Sequence, residues 1–456
     1  MTDQERLLEA LEALKEDCIS GIQESIRIDS VGGDPEPGAP FGPGPKKALD
    51  WALELGEKLG LQCKNVDDHA GWVEFGEGEE MVAAVGHLDV VPAGDGWTYP
   101  AFGAEIHDGV LYGRGVLDDK GPTIGCFYVL KAMKDAGIPL KRRVRVIFGT
   151  DEERGSACMK YYANSEEEKP VLGFTPDADY PLIFFEKGCS PCLVGKKSPQ
   201  QGEIKILECR GGEADNIVPK FCELLLEGEH VVGEYPNVHT VIEDGKTRIT
   251  ATGKNAHGST PELGENAIMI LMHAIRDLEI GGDFARLRDF LLENVKMETN
   301  GESMGILYQD EETGETTVNV GLLAYSDKEM SVSFDIRYPK KADPDAVRSA
   351  IEERVAASSL ELLKINEVPM LYVPKDSDLV QILLKVYREA TGDKDAEPLA
   401  IGGGTYAKTL PNMVAFGPIF PGTPDCIHQK DERWDLEQMW LSLRINAIAL
   451  MELANS

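Results

Sequence analysis

The chain has 456 residues, 42% of them hydrophobic, with 79 acidic against 46 basic side chains and a formal net charge of −33. That length exceeds one ordinary core, so two domains are expected. A surface this acidic argues against nucleic acid and anionic membranes as partners.

The N-terminal stretch MTDQERLLEALEALKEDC is charged and amphipathic, so it reads as a helix, from about Gln4 to Ile28, and not as a signal peptide. No apolar run reaches the ~18 residues of a membrane-spanning helix. Nine scattered cysteines without an export signal read as reduced thiols in a cytoplasm. The close pair Cys189/Cys192 has no second pair at zinc-knuckle spacing, so it reads as two incidental thiols.

Further along, a helix is expected over about Lys46–Leu59, with Gly60 as its stop. Strands follow near Trp72–Gly76 and Met81–His87, and another helix begins after Gly121. The segment RRVRVIFGTDEERGS reads as a strand running into an acidic turn, and VLGFTPDADYP as the next strand. Alternating helices and strands of this kind predict an α/β domain with a mostly parallel sheet flanked by helices.

From about residue 185 the texture changes. TRITATG and MSVSFDIRYP alternate apolar and polar residues, the pattern of an antiparallel sheet with one covered face. Helices are expected at about Glu262–Leu278, Asp283–Val295 and Asp343–Ala357. The first texture returns near residue 373, with helices at about Asp378–Ala390 and Asp435–Leu453. The predicted organisation is a discontinuous catalytic domain, residues 1–184 and 373–456, around an inserted α+β lid, residues 185–372.

Strand ends carry the chemistry. His87 and Asp89 close MVAAVGHLDVV; Asp118 and Asp119 precede a helix; Asp151, Glu152 and Glu153 follow one strand and Asp177 another; His428 lies in a late loop. Singly, such acids are common helix caps. Together at the carboxyl edge of one sheet they read as a metal site, because cations remove the repulsion among so many carboxylates. Imidazole and carboxylate donors favour zinc, manganese or cobalt. Five donors exceed one catalytic zinc with an open position. They suit two ions about 3.5–4 Å apart that share a carboxylate and a water.

The ordered motifs GHLDVVPAGDGW, YGRGVLDDKGP, GTDEERGS, FTPDADYP, GKNAHGSTPELGENA, FDIRYP, GGGTYAK and HQKDE closely resemble the co-catalytic di-zinc peptidases related to aminoacylase, carnosinase and glutamate carboxypeptidase. The likeness is greatest to their dipeptidase V (Xaa-His dipeptidase) branch and runs from about residue 80 to 432.

The resemblance implies a role at each matching position. His87 and Asp177 would bind one ion and His428 and Glu153 the other. Asp118 would bridge them across a cis bond to Asp119, although either of these adjacent acids could supply the bridge. Asp89 would orient His87, and Glu152 would be the general base. His257 would stabilise the oxyanion. Arg337 would grip the substrate's terminal carboxylate, with Asn216 a further lid contact. The turn with Gly403 and Gly404 lacks the lysine of a P-loop, so its N–H groups are expected to meet the substrate carboxylate. The implied cofactors are two divalent ions, zinc first and manganese or cobalt as alternatives.

The implied activity is hydrolysis of short unblocked L-peptides by a monomer with His257 acting in cis. An N-acyl amino-acid deacylase is the alternative within the same chemistry, and a non-catalytic metal- or peptide-binding protein is the alternative outside it. His69, His107, His230, His239 and His273 match no ligand motif.

Overall fold

Seven consecutive buried residues, Met81–His87, form a central strand. It runs parallel to Arg143–Gly149 on one side and to Leu172–Thr175 on the other. Such a strand is apolar throughout because helices cover both of its faces. In this computed structural model, which describes residues 1–456, the sheet extends outward in mixed fashion. Gln62–Val66 and Ala70–Phe75 pair antiparallel beyond Arg143–Gly149. Met413–Ala415 lies parallel to Leu172–Thr175.

The helix Lys120–Asp135 packs Phe127 against Phe148 on one face of this sheet. Leu49, from the helix Pro43–Lys58, lies on that face too, over Gly71 beside Phe148. The opposite face is covered at Gly149 by Cys158 and Tyr406. The final helix, Leu436–Asn455, packs against Lys120–Asp135 and the helix Asp378–Thr391. No helix of the chain is long and apolar enough to cross a membrane.

The chain divides into two compact units. One comprises Met1–Phe185, Leu371–Leu399 and Gly404–Ser456; the other comprises Glu186–Met370 and Ala400–Gly403. The second unit is an antiparallel sheet whose path runs Val238–Glu243, Lys246–Thr252, Phe221–Glu227, Ile206–Gly211, Thr317–Tyr325, Glu329–Tyr338, Cys192–Lys197 and Glu361–Ile365. Its core joins inward residues of these strands to the helices Ala267–Ala274, Gly282–Asn294 and Pro344–Ala357.

Two helices differ from the sequence reading. The N-terminal one breaks at Leu14 into Asp3–Ala13 and Lys15–Ile26, Leu14 having φ −96° and ψ 3°. The helix expected from Glu262 starts at Ala267, because Asn266 caps it by accepting from the Ile268 and Met269 amides. A short 3₁₀ turn, Pro261–Leu263, precedes it. All nine cysteines are free thiols.

Candidate functional site

Parallel pairing puts His87 opposite Gly149 in register. The acidic turn after Gly149 therefore starts level with the imidazole, and Asp177 follows the next strand, Leu172–Thr175. Gly86 is fixed by crowding: a Cβ there would lie 1.9 Å from Thr123 Oγ1 and 2.3 Å from Asp119 Oδ2. The Asp119 carboxylate occupies that space, accepting from the His87 amide at 3.0 Å and the Thr123 hydroxyl at 2.8 Å.

Asp118 and Asp119, joined by a cis peptide bond, point different ways. Asp118 Oδ1 lies 2.9 Å from His87 Nε2, and its Oδ2 lies 2.9 Å from His428 Nε2. Asp177 Oδ2 lies 3.6 Å from His87 Nε2, and Glu153 Oε1 lies 3.0 Å from His428 Nε2. His428 itself sits in the left-handed region at φ 59°, where a non-glycine residue is uncommon. The second oxygen of Asp119, Oδ1, is buried without a partner.

The electrostatics reflect crowding of acids around two imidazoles. Burial and the neighbouring Asp118 push Asp177 up to about 6. Burial, reinforced by Asp177, Glu153 and Asp118, holds the Glu152 carboxyl well above its ordinary range. Asp118 goes the other way: burial opposes ionisation, but hydrogen bonds from His428 and His87 hold it well below the ordinary range. Hydrogen bonds to Asp118 and Glu153 raise His428 to about 10.

Two donor triplets, His87/Asp119/Asp177 and His87/Asp118/Glu153, have ligand atoms within 4.8 Å of one another. Imidazole and carboxylate donors, an unpartnered buried carboxylate oxygen, and one carboxylate spanning two imidazoles are a donor set that fits divalent metal cations.

The other sequence-derived residues fall as follows. The nearest acceptor to His87 Nδ1 is the Asp89 carbonyl, at 3.0 Å, while the Asp89 carboxylate is 3.6 Å away. That carboxylate instead accepts from the Glu152 and Glu153 amides at 3.0 and 3.1 Å, so Asp89 fixes the acidic turn.

In the second unit, the Ser259 amide donates to His257 Nδ1 at 3.2 Å, with the Ser259 hydroxyl 2.6 Å from the same nitrogen. An imidazole accepting at Nδ1 carries its proton on Nε2 when neutral. The Asn216 carbonyl accepts from the Gly258 amide at 2.6 Å, which joins the Asn216 and His257 loops. Arg337 donates through Nε and Nη2 to Asp335 and through Nη1 to the Gly402 carbonyl at 2.6 Å. Three of its five N–H groups are thus already committed. Gly403 belongs with this unit and Gly404 with the first.

Several buried residues escaped the sequence reading. Glu432 pairs with Arg114 at 2.7 Å, both buried. Lys120, pushed down to about 7 by burial, donates to the Ser25 and Ile28 carbonyls at 3.1 and 2.6 Å. Tyr406 sets its ring edge-on to His87, centroids 5.9 Å apart. Glu432 ends the HQKDE motif and Lys120 follows the paired aspartates, but the partners of Lys120 are backbone carbonyls and those of Glu432 are backbone amides and the distant Arg114, which no spacing reveals.

The chain is 39% identical over 457 residues to "Putative dipeptidase YtjP" of Bacillus subtilis (strain 168), covering 96% of this chain and 98% of that protein. It is 34% identical to "Putative dipeptidase SH1171" of Staphylococcus haemolyticus (strain JCSC1435), covering 94% of each. Human carnosine dipeptidase 1 shares the fold at TM-score 0.64 and 14% identity, over 100% of this chain and 99% of that one. The dipeptidase Dug1p from Saccharomyces cerevisiae does so at TM-score 0.63 and 15% identity, over the whole of both chains. The profile of peptidase family M20/M25/M40 matches residues 83–452, and the chain belongs to that family of peptide hydrolases.

Proposed function

We propose that the chain hydrolyses short unblocked L-peptides, dipeptides foremost, by attack of water on the amide. The observation that carries this reading is the single cluster formed by His87, Asp118, Glu153, Asp177 and His428, with Asp118 spanning the two imidazoles. His87, Asp118 and Asp177 would hold one divalent ion, and Asp118, Glu153 and His428 a second. Two such ions, zinc first and manganese or cobalt as alternatives, supply polarisation of the scissile carbonyl and a more acidic water.

Glu152 takes a proton from the attacking water and returns it to the leaving amine. Burial beside Asp177, Glu153 and Asp118 raises its proton affinity, the direction a general base requires. Asp89 keeps that base in place by holding the amides of the turn. His257, with its proton on Nε2, donates to the developing oxyanion. Arg337 receives the substrate's terminal carboxylate through the N–H groups of Nη1 and Nη2 that Gly402 and Asp335 leave over, with Asn216 and the Gly403 and Gly404 amides as further donors.

The test is hydrolysis after metal removal. Chelator-stripped protein is restored separately with zinc, manganese or cobalt and offered dipeptides beside N-acetyl amino acids. Metal-restored cleavage of dipeptides alone is expected. Cleavage of only the N-acetyl set would make the protein a deacylase, and cleavage of neither by folded, metal-loaded protein would overturn the reading.

A further inference from the structure

His428 and Asp118 come from opposite ends of the sequence, yet their facing atoms lie 2.9 Å apart. Something must set the offset between the two loops that carry them. Four residues after His428, the Glu432 side chain is fully buried. Its Oε1 accepts from the Leu117 amide at 2.9 Å, the Gly115 amide at 3.1 Å and the Asp118 amide at 3.3 Å. Its Oε2 accepts from Arg114 Nη1 at 2.7 Å and again from Gly115 at 3.1 Å.

The backbone joins in. The Glu432 carbonyl accepts from the Gly113 amide at 3.0 Å, and Arg433–Asp435 continues as a strand antiparallel to Val110–Tyr112. On the other side, Asp431 accepts from the Thr98 amide and hydroxyl at 2.7 and 2.9 Å. Arg114 is backed by the Trp97 ring, 5.3 Å from its centroid.

A buried carboxylate is costly unless donors surround it, and here they do. These donors belong to the stretch of backbone that ends in Asp118. We propose that Glu432 is a positioning residue of the metal centre: its carboxylate grips the 115–118 backbone and so fixes Asp118 relative to His428. The inference rests on the metal-ligand reading of those two residues.

The test is zinc titration of chelator-stripped protein by calorimetry, for the natural chain, Glu432→Asp and Glu432→Gln, with far-UV circular dichroism and melting of each metal-free form. Glu432→Asp keeps the charge beside Arg114 but shortens the reach by one carbon, so it cannot satisfy Arg114 and the amides together. Glu432→Gln keeps the length but turns an amide donor toward donors. Partners that hold ligands in place are worth about 10–100-fold in metal affinity, and a loss of that size is expected in folded Glu432→Asp. A part in folding alone would lower the metal-free melting temperature and leave zinc affinity unchanged.

If Glu432→Gln does not fold, Glu432→Asp decides the matter. Folded Glu432→Asp with natural zinc affinity overturns the proposal. Failure of the natural chain to bind zinc, manganese or cobalt would instead overturn the metal-centre reading beneath it.

Discussion

Glu152 and Glu153 are neighbours whose backbone amides share one carboxylate, that of Asp89. Their side chains part: Glu153 turns to His428, whereas Glu152 lies half-buried near Asp177, Glu153 and Asp118. That separation lets chemistry be tested apart from metal retention. Glu152→Gln should lower turnover about 10²–10⁴-fold, the usual worth of a positioned proton carrier. Metal content by elemental analysis should stay at the natural level; equal loss of metal and activity would make Glu152 a ligand. Part of this arrangement is legible in sequence. A His and an Asp two apart at the end of an apolar run share one side of an extended chain, and acids after three strands point to one sheet edge. The division of labour within each pair is not legible. Asp118 and Asp119 are identical letters, and only the structure shows that one Asp119 oxygen packs over Gly86 while Asp118 spans both imidazoles.

At the scale of elements, sequence patterns locate helices better than they locate helix ends. Apolar spacing marks the N-terminal helical stretch, but the break at Leu14 carries no glycine or proline to announce it. The lid helix is the clearer lesson. Glu262 follows Pro261, a familiar pair at a helix start, yet Asn266 ends the preceding loop by capping the helix proper. Asn266 also donates to the Val320 carbonyl at 2.8 Å, so it ties the helix start to the sheet. Asn266→Ala should therefore cost about 1–2 kcal/mol, toward the upper end of the range for a lost cap. Urea denaturation should show a lower midpoint with an unchanged slope.

For the whole molecule, the concentration of buried acids sets the pH response of the metal-free protein. Asp177 is raised to about 6, chiefly by burial. A carboxyl raised in this way keeps its proton in the folded state after the unfolded chain has lost it, so folding weakens as pH rises. The contribution is complete below the ordinary carboxyl value near 4 and lost on passing about 6. Lys120, lowered to about 7, enters only above that pH and with the opposite sign. The melting temperature of chelator-treated protein should accordingly fall between about pH 4 and 6, and metal-loaded protein should show no such fall. A fall of equal size in both forms would separate the acids' protons from metal binding. The division into two units is broadly visible in strand texture. The return of Ala400–Gly403 to the second unit is not, because it rests on contacts such as Arg337 with the Gly402 carbonyl.

The unit that holds the clustered acids is built from three separated pieces of chain, and this has a consequence for biosynthesis. His87, Asp118, Glu153 and Asp177 leave the ribosome early, whereas His428 and Glu432 come near the end. At about 5–20 residues per second, the interval is on the order of tens of seconds. During it, the nascent chain carries an acidic nest that lacks both its second imidazole and the carboxylate that grips the Asp118 loop. The second unit lies almost wholly within that interval and can fold meanwhile. Assembly of the centre is thereby deferred until the final hundred residues arrive, and a chain released before His428 has the earlier acids and one imidazole without the second.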